Sequence, residues 1–299
     1  MAYIYEHQLE IQMSEIQISE IRKSEIQNGR RRFLRNAALA SLGIAAAPLL
    51  LPTSAQAGGL FSAASPTDQK KIGDQAAAQV LTQYHEVFDA RARHFNQIGQ
   101  RLVRALPASD RATWDYKFHV LDSPTVNAFA LPGGNMFMFT GLYKILPTDD
   151  ALAGVTGHEM THVRLQHWAK ANEKQQERQA GLGLLLGLFH AGQAAQSIAG
   201  LADTAIGKKY SRGEEDQADQ GGLQNMVAAG YNPQGMIELF QALEKISGNG
   251  GSIGGDFLSD HPLTSDRIKH TQERIATLQS SHKFPALTPL RYSRLSSGG

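Results

Sequence analysis

The spacing of hydrophobic positions along the chain predicts a mainly helical domain with a short sheet. Between residues 65 and 107, apolar side chains recur at steps of three and four, which predicts two helices. Residues 116–121 alternate between apolar and polar side chains and predict a strand. Residues 136–142 predict a second strand, which follows a Pro-Gly-Gly turn. Further helices are predicted beyond residue 210, so the fold class that we expect is α+β.

The predicted helix over residues 148–165 presents two histidines on its apolar face. Thr148 is a suitable N-cap, and the two acidic residues after it favour the positive end of the helix dipole. Apolar residues and histidines share this face in helical register, namely Ala151, Val155, His158, His162 and Leu165. Side chains four positions apart lie about 40° apart around a helix, so both imidazoles point the same way.

The order His158-Glu159-Met160-Thr161-His162 has the spacing of a zinc-binding helix. His158 and His162 can hold one Zn²⁺, and Glu159 lies beside them to take a proton from a zinc-bound water molecule. The alternative is a pair of core histidines whose hydrogen bonds are satisfied within the protein. A zinc site of this type needs a third protein ligand, so the rest of the chain decides between the two interpretations.

The predicted helix over residues 211–230 can supply that ligand. Glu215, Asp219 and Gly222 share one face of it. Glu215 is the best candidate for the third ligand, and Asp219 can accept a hydrogen bond from a ligand histidine. A solvated acidic face is the alternative, but it would leave the two-histidine site without a carboxylate. A third histidine is excluded because His167 lies five residues beyond His162, about 140° around the helix.

Composition narrows the class of protein. The chain has 299 residues, of which 41% are hydrophobic, and a formal net charge of +1. These values suit one medium globular domain with or without an appendage, and the near-neutral charge argues against a nucleic-acid partner. The chain contains no cysteine, which excludes disulfides, thiolate metal ligands and a cysteine nucleophile.

The N-terminal segment has the features of an export signal. Arg30-Arg31 opens a sequence typical of twin-arginine signals, an apolar stretch over residues 36–51 follows, and a small-x-small cleavage site ends at Ala57. A basic nucleic-acid patch is the alternative, but it does not explain the ordered apolar stretch. We therefore expect a partner, the twin-arginine translocase, during export, and cleavage near Ala57-Gly58.

These features predict the division of the chain. Residues 1–57 form an N-terminal extension with the signal peptide, and residues 58–299 form the exported domain, which acts in the periplasm. Residues 281–299 are predicted to be a loose tail because they are rich in proline and serine. Residues 181–207 are rich in glycine, alanine and leucine. Peripheral membrane contact, a mobile lid and buried helices are the three interpretations of that segment.

Four motifs, in this order, resemble those of a known family. They are Asn-Ala-Phe-Ala-Leu-Pro-Gly-Gly at residues 127–134, the histidine motif at 155–162, Ser-Arg at 211–212 with Glu215 and Asp219, and His261-Pro262 with Arg267. From about residue 72 to 278 the chain resembles the zinc metalloendopeptidases that include HtpX, the mitochondrial Oma protease, the CAAX prenyl endopeptidase and soluble periplasmic quality-control proteases. The resemblance implies a minimal zincin-like (gluzincin) domain with a small mixed sheet beside the zinc-binding helix.

The resemblance also implies the roles of the central residues. His158, His162 and Glu215 would hold one Zn²⁺ per chain, Glu159 would be the general base, and Asp219 would bond to a ligand histidine.

His261 and Arg267 would lie in the same site. In periplasmic relatives the counterpart of His261 can occupy the open zinc position and hold the enzyme shut. Capping of the last helix and assistance to the transition state are the alternatives for His261. Arg267 is a cation able to stabilise a developing oxyanion.

The function that we expect is that of a zinc metalloendopeptidase (EC 3.4.24 type) that cleaves unfolded or damaged envelope proteins. An edge strand before the zinc-binding helix would hold the peptide extended. The residues assigned to substrate binding are Asn127, Gly133, Gly134, Met136, Phe137 and Met138. A plain core hairpin is the alternative for this region. A latent chaperone or binding protein with a closed zinc site is the alternative function.

Overall fold

The computed structural model describes residues 64–174, 209–248 and 255–290. The predicted export signal and the glycine-rich segment over residues 181–207 lie outside the described residues. The division of the chain at residues 57 and 58 therefore stays a prediction.

Helices dominate the described part of the chain, and a four-stranded sheet accompanies them. Residues 167–174 are also helical. In chain order the elements are α1 (Pro66–Gln83), β1 (Glu86–Val87), α2 (Ala90–Ala105), α3 (Ala108–Thr113), β2 (Lys117–Leu121), β3 (Ala128–Ala130), β4 (Asn135–Phe139), α4 (Thr140–Ile145), α5 (Asp149–Arg164), α6 (Arg212–Ala228), α7 (Gln234–Gly248), α8 (Gly255–Asp260) and α9 (Ser265–Ser281).

Local signals set many of these boundaries. The Ser65 side chain accepts a hydrogen bond from the backbone of Asp68 and begins α1, with proline at the first helical position. The Asp89 side chain begins α2 in the same way. Thr148 accepts from the backbone N–H of Ala151 and begins α5, as predicted. The α+β class, mainly helical with a small mixed sheet, is confirmed.

The sheet has the strand order β1-β2-β4-β3. β2 and β4 are parallel, with Phe118 opposite Met136 and Val120 opposite Met138. β3 is antiparallel to β4, and β1 is antiparallel to β2. β4 is therefore an inner strand, and β3 is the terminal strand on its side of the sheet.

The prediction that the strand after residue 135 is a sheet edge is wrong. β4 hydrogen-bonds to a neighbour on both sides, and every one of its residues is buried. Met136 and Met138 belong to the main core, whereas Phe137 stacks between Phe129 and His119 on the other face. A strand that is apolar at nearly every position has two buried faces, which is typical of an inner strand. The alternative, a core hairpin, describes β3 and β4.

The glycine pair before β4 makes the turn of this hairpin. Gly133 and Gly134 have φ values of 87° and 121°, which favour glycine. A Cβ atom on Gly133 would lie 2.5 Å from the Cα of Lys70, and one on Gly134 would lie 2.7 Å from the carbonyl oxygen of Asp115. Both glycines therefore have a structural reason for their presence.

Helix α5 lies at the centre of the core, and all of its residues from Asp149 to Val163 are buried. It packs against α6 and α7 and contacts β3. A helix buried on all sides needs small residues where its neighbours cross it. Gly157 meets Gly222 of α6, where an added Cβ would lie 3.2 Å from the Cα of Gly222. This close crossing brings the carboxylates of α6 to the histidines of α5.

The predicted loose tail is wrong for the residues that the structure describes. α9 continues to Ser281, and the segment after it packs along the start of α5. Pro289 forms a β-bridge with Thr148, and Leu290 is buried. The proline-rich composition disfavours a helix, but it allows an extended segment that pairs with another backbone. Within the described ranges, no helix has the length and hydrophobicity needed to cross a bilayer.

Candidate metal centre

His158 and His162 of α5 point into one buried site. They lie one helical turn apart, and their Nε2 atoms are 3.1 Å apart. Two imidazole nitrogens at about 2.0–2.1 Å from one tetrahedral zinc ion lie about 3.3 Å apart, so the observed separation suits a shared metal. Both rings are almost completely buried, at 2% and 3% exposure.

Helix α6 brings Glu215 to the same site. Glu215 Oε1 lies 3.5 Å from His162 Nε2, and Glu215 Oε2 lies 3.6 Å from His158 Nε2. The neighbouring Glu214 is bound elsewhere, because its carboxylate accepts the backbone N–H of Ser211 in a capping box. The start of α6 therefore directs one glutamate to the helix terminus and the next into the site.

His261, between α8 and α9, is the fourth member of the cluster. Its Nδ1 lies 2.9 Å from Glu215 Oε1 and 3.3 Å from His158 Nε2, and its Nε2 lies 3.3 Å from Glu159 Oε1. The side chain is buried, and Phe257 stacks on its ring at 4.8 Å. His261 does not cap the last helix, because the Thr264 side chain accepts the backbone N–H of Arg267 and is the N-cap of α9. The capping alternative is therefore wrong.

Asp219 and Arg267 form a layer behind this cluster. Asp219 Oδ1 lies 2.9 Å from His158 Nδ1, and the Arg267 guanidinium binds the same carboxylate through Nε and Nη2 at 2.7 and 2.8 Å. Arg267 Nη1 also lies 2.7 Å from Glu215 Oε2 and donates to the carbonyl oxygen of Pro262 at 3.0 Å. The guanidinium thus links Glu215 and Asp219 of α6 to the loop that carries His261.

Burial and the neighbouring charges set the protonation of the cluster. Burial raises the pKa of Glu159 and lowers the pKa of His162 well below its usual value. Burial would also raise the pKa of Glu215, but the surrounding imidazoles, His261 foremost, bring it below its usual value. Burial opposes ionisation of Asp219 as well, and the hydrogen bonds from Arg267 and His158 outweigh it and lower its pKa. These shifts favour ionised Glu215 and Asp219 carboxylates next to a neutral His162.

The donor set fits a metal ion. His158, His162, Glu215 and His261 each offer one ligand atom, and these atoms lie within 4.8 Å of one another. Neutral imidazoles and a carboxylate are the ligands that zinc accepts in catalytic sites. Glu159 Oε1 is buried and has no hydrogen-bond partner with suitable geometry within the described residues. A buried carboxylate oxygen without a donor indicates that the site is built to receive a further group.

The residues assigned to substrate binding lie apart from these donors. Met136, Phe137 and Met138 are core residues of β4, and Gly133 and Gly134 form the turn before it. Asn127 is buried, and its backbone carbonyl accepts the N–H of Phe139. Ala130 of β3 lies near the cluster, since its backbone N–H lowers the pKa of Glu159 slightly against the larger effect of burial.

Two contacts of the His162 ring are not indicated by the sequence. The Tyr210 ring stacks on His162 with its centroid 4.0 Å away, and His167 Nδ1 lies 2.8 Å from His162 Nδ1. The spacing excluded His167 as a ligand, and its ring does contact the far nitrogen of His162 and not the donor cluster. Helical periodicity did not predict this contact. The sequence has no local signal for Tyr210, because the N4 position that would pair with it in a hydrophobic staple is Glu215.

A buried helix with the His-Glu-x-x-His spacing, joined by a glutamate from a second helix, defines the class of gluzincin-type metallopeptidases. The match to a family model gives the same answer. This chain belongs to peptidase family M48, whose model matches residues 89–275, more than half of the chain. The matched region runs from the start of α2 into α9, so it contains every residue of the cluster. The family resemblance seen in the sequence is confirmed.

Individual relatives carry names of the same kind. The chain is 31% identical over 209 residues to the mitochondrial metalloendopeptidase OMA1 of Saccharomyces cerevisiae, covering 67% of this chain and 59% of the relative. It is 29% identical over 209 residues to the beta-barrel assembly-enhancing protease of Escherichia coli (strain K12), covering 64% and 41%. It is 28% identical over 217 residues to the metalloprotease YcaL of the same strain, covering 71% and 82%. The chain thus spans less than two thirds of the length of the first two relatives.

Proposed function

We propose that this protein is a zinc-dependent metalloendopeptidase. The observation that carries the proposal is the convergence of His158 Nε2, His162 Nε2 and the Glu215 carboxylate in one buried site, with the Glu159 carboxylate beside them. His158 donates its Nδ1 proton to Asp219, so its Nε2 is a lone-pair acceptor that faces another imidazole nitrogen at 3.1 Å. Two lone pairs that face each other repel unless a proton or a cation lies between them. A bound cation would supply that positive charge without a proton.

The residues of the site divide the chemistry between them. A zinc ion held by His158, His162 and Glu215 would polarise the scissile carbonyl and acidify a water molecule. Glu159 takes a proton from the attacking water and returns it to the leaving amine. Its raised pKa suits this exchange, because a carboxylate that is a stronger base accepts the proton more readily.

Arg267 acts in this proposal by positioning other groups. Its guanidinium is engaged by Asp219, Glu215 and the carbonyl of Pro262, so it holds the ligand carboxylate and the His261 loop together. The contacts support this role more than direct stabilisation of an oxyanion, which needs a donor directed at the substrate.

His261 closes the site in the resting protein. Its imidazole is buried within the donor cluster and contacts both Glu215 and Glu159. A neutral imidazole is a good zinc ligand, so it would hold the fourth position that a catalytic site leaves open for water. The same closure supports the second candidate function, a latent chaperone or binding protein whose zinc site stays shut.

The substrate in this proposal is an extended segment of an unfolded or damaged envelope protein. We infer that β3 is the strand that suits such a peptide, since it is terminal in the sheet and its Ala130 N–H is close enough to Glu159 to affect its pKa. In this proposal the peptide pairs with β3, whereas the sequence predicted pairing with the strand that begins at Met136.

Export by the twin-arginine route to the periplasm is part of the proposal, and Arg30-Arg31 supports it. The double variant Arg30→Lys with Arg31→Lys should accumulate as precursor in the cytoplasm, measured by fractionation and immunoblotting. Efficient export of the double variant would indicate the general secretory route.

Casein degradation by the purified, zinc-loaded protein tests the enzymatic proposal. We expect 1,10-phenanthroline to stop degradation and Glu159→Gln to lower it by at least the roughly 10²–10⁴-fold that a general base contributes. Glu159→Gln should keep its zinc, because no proposed ligand is removed. Glu273→Gln, a change at an exposed position of α9, is the matched control and should be fully active. Normal turnover by zinc-loaded Glu159→Gln would refute the assignment. Chelator-resistant substrate binding without cleavage would favour the chaperone.

A further inference from the structure

The two histidines of α5 have different partners at Nδ1. A histidine that binds a metal through Nε2 must keep its proton on Nδ1, where an acceptor fixes the tautomer. For His158 that acceptor is the Asp219 carboxylate at 2.9 Å. For His162 the atom that faces Nδ1 is the Nδ1 of His167 at 2.8 Å, and this second partner has no role in the function proposed above.

Gln217 determines the direction of the hydrogen bonds in this second arrangement. Its Oε1 lies 3.1 Å from His167 Nε2 and can only accept, so His167 carries its proton on Nε2. A neutral imidazole has one proton, which leaves His167 Nδ1 as an acceptor. His162 must then donate from Nδ1, and its Nε2 presents a lone pair to the donor cluster.

We propose that His167, held by Gln217, is a positioning residue that fixes His162 in its metal-binding tautomer. The inference rests on the proposed function, because it takes His162 as a metal ligand. It assigns a purpose to a histidine that lies outside the donor group and whose two ring nitrogens are both engaged.

The end of α5 is shaped to make this contact. On a continuous helix, His167 would lie about 140° from His162 and could not reach it. α5 instead ends at Arg164, and Gln166 follows with a φ of 56°. Gln166 is the non-glycine residue with a positive φ among those that the structure describes, and such a conformation needs support from its surroundings. Gln69 supplies it by donating to Gln166 Oε1 at 2.8 Å.

The break in the helix at Gln166 allows His167 to contact His162. His167 is 1% exposed, so its ring is held in place by the protein and not by solvent. Gln217 reaches it from the surface of α6, two residues after Glu215. One helix therefore supplies both the proposed carboxylate ligand and the outer support of His162.

The experiment measures zinc affinity and histidine tautomers in the full exported chain. Zn²⁺ binding is measured by competition with a chromophoric chelator, and ¹⁵N NMR of the histidine-labelled, metal-free protein reports which ring nitrogen of His162 carries the proton. We expect His167→Leu to weaken Zn²⁺ binding by about 10–100-fold, the range for loss of an outer partner of a ligand. His167→Asn, whose amide oxygen can take the place of Nδ1, should bind Zn²⁺ within about threefold of wild type.

Two further variants complete the design. Gln217→Leu removes the outer acceptor at an exposed position, and we expect His162 to change from one tautomer to a mixture of both. His270→Leu removes an exposed histidine of α9 and should change neither readout.

The outcomes distinguish failure of this inference from failure of the proposed function. Wild-type protein that does not bind Zn²⁺ would refute the metal site itself. With a wild type that binds, unchanged affinity in His167→Leu, or an equal loss in His167→Asn, would overturn the role of His167 as an acceptor. If His167→Leu does not fold, His167→Asn and Gln217→Leu decide. An unchanged tautomer in Gln217→Leu would overturn the proposed direction of the hydrogen bonds.

Discussion

Both ends of helix α5 carry buried carboxylates, but the hydrogen bonding of these carboxylates differs between the two ends. At the N-terminal end the Asp150 carboxylate accepts the backbone N–H groups of Asn232 and Thr288, each at 2.7 Å. Toward the C-terminal end, nitrogen and oxygen atoms of the cluster face one another, and Glu159 Oε1 has no hydrogen-bond partner of suitable geometry within the described residues.

This difference separates a structural carboxylate from a functional cluster. Each oxygen of Asp150 accepts a backbone N–H from a distant segment, so this carboxylate stabilises the fold by joining those segments to the start of α5. The cluster at the other end holds lone pairs close together, an arrangement that becomes favourable when a cation or a proton lies between them. Substitutions in the cluster should therefore lower zinc binding, whereas substitutions at the N-terminal end should lower the free energy of unfolding.

The largest effect is expected at Glu215. Glu215→Ala should lose more zinc affinity than the roughly 10–100-fold typical of an outer partner, because a proposed ligand is removed. Glu214→Ala is the matched control, since Glu214 is engaged in the helix cap and its loss should leave the metal in place. Zinc content of the purified variants, measured by plasma mass spectrometry, gives the answer. Metal loss in Glu214→Ala alone would move the ligand to the neighbouring residue.

Asp150→Ala should produce the complementary result. Two backbone N–H groups lose their carboxylate acceptor, so we expect the free energy of unfolding to fall by about 3 kcal/mol. The folded fraction should keep its full zinc content, because Asp150 has no contact with the cluster. Urea denaturation of the zinc-loaded protein measures the loss.

Asp115→Ala is the control for that measurement, because the Asp115 side chain is 61% exposed and pairs with Lys70 on the surface. Its effect should stay within about 0.5 kcal/mol. Loss of zinc from folded Asp150→Ala, without loss of stability, would contradict the division between the two ends.

The smallest effect, and the one whose sign matters most, is expected at His261. If its imidazole holds the fourth metal position, His261→Ala should raise the basal turnover of casein several-fold. His282→Ala, at the exposed end of α9, is the control. The measurement uses zinc-loaded protein, so that a change in metal content does not enter. Turnover clearly below that of wild type would refute closure and would give His261 a catalytic role.

Periodicity in the sequence was sufficient for α5 and α6. The two histidines and Glu215 are each placed by a helix of 16 or 17 residues whose caps and apolar positions are local signals. The cap at Ser211 even distinguishes Glu214 from Glu215, since a capping box occupies the glutamate three positions after the serine.

The tertiary structure alone decided which strand lies at the edge and what surrounds the cluster. Pairing places β4 between β2 and β3, and alternation along a single strand does not contain that information. His261 meets Glu215 across 46 residues of sequence, and Thr288 meets Asp150 across 138. His167 reaches His162 because the helix ends and the chain turns through the left-handed conformation of Gln166. A helix repeats every 3.6 residues and so reveals its faces locally, whereas these contacts depend on how separate elements pack.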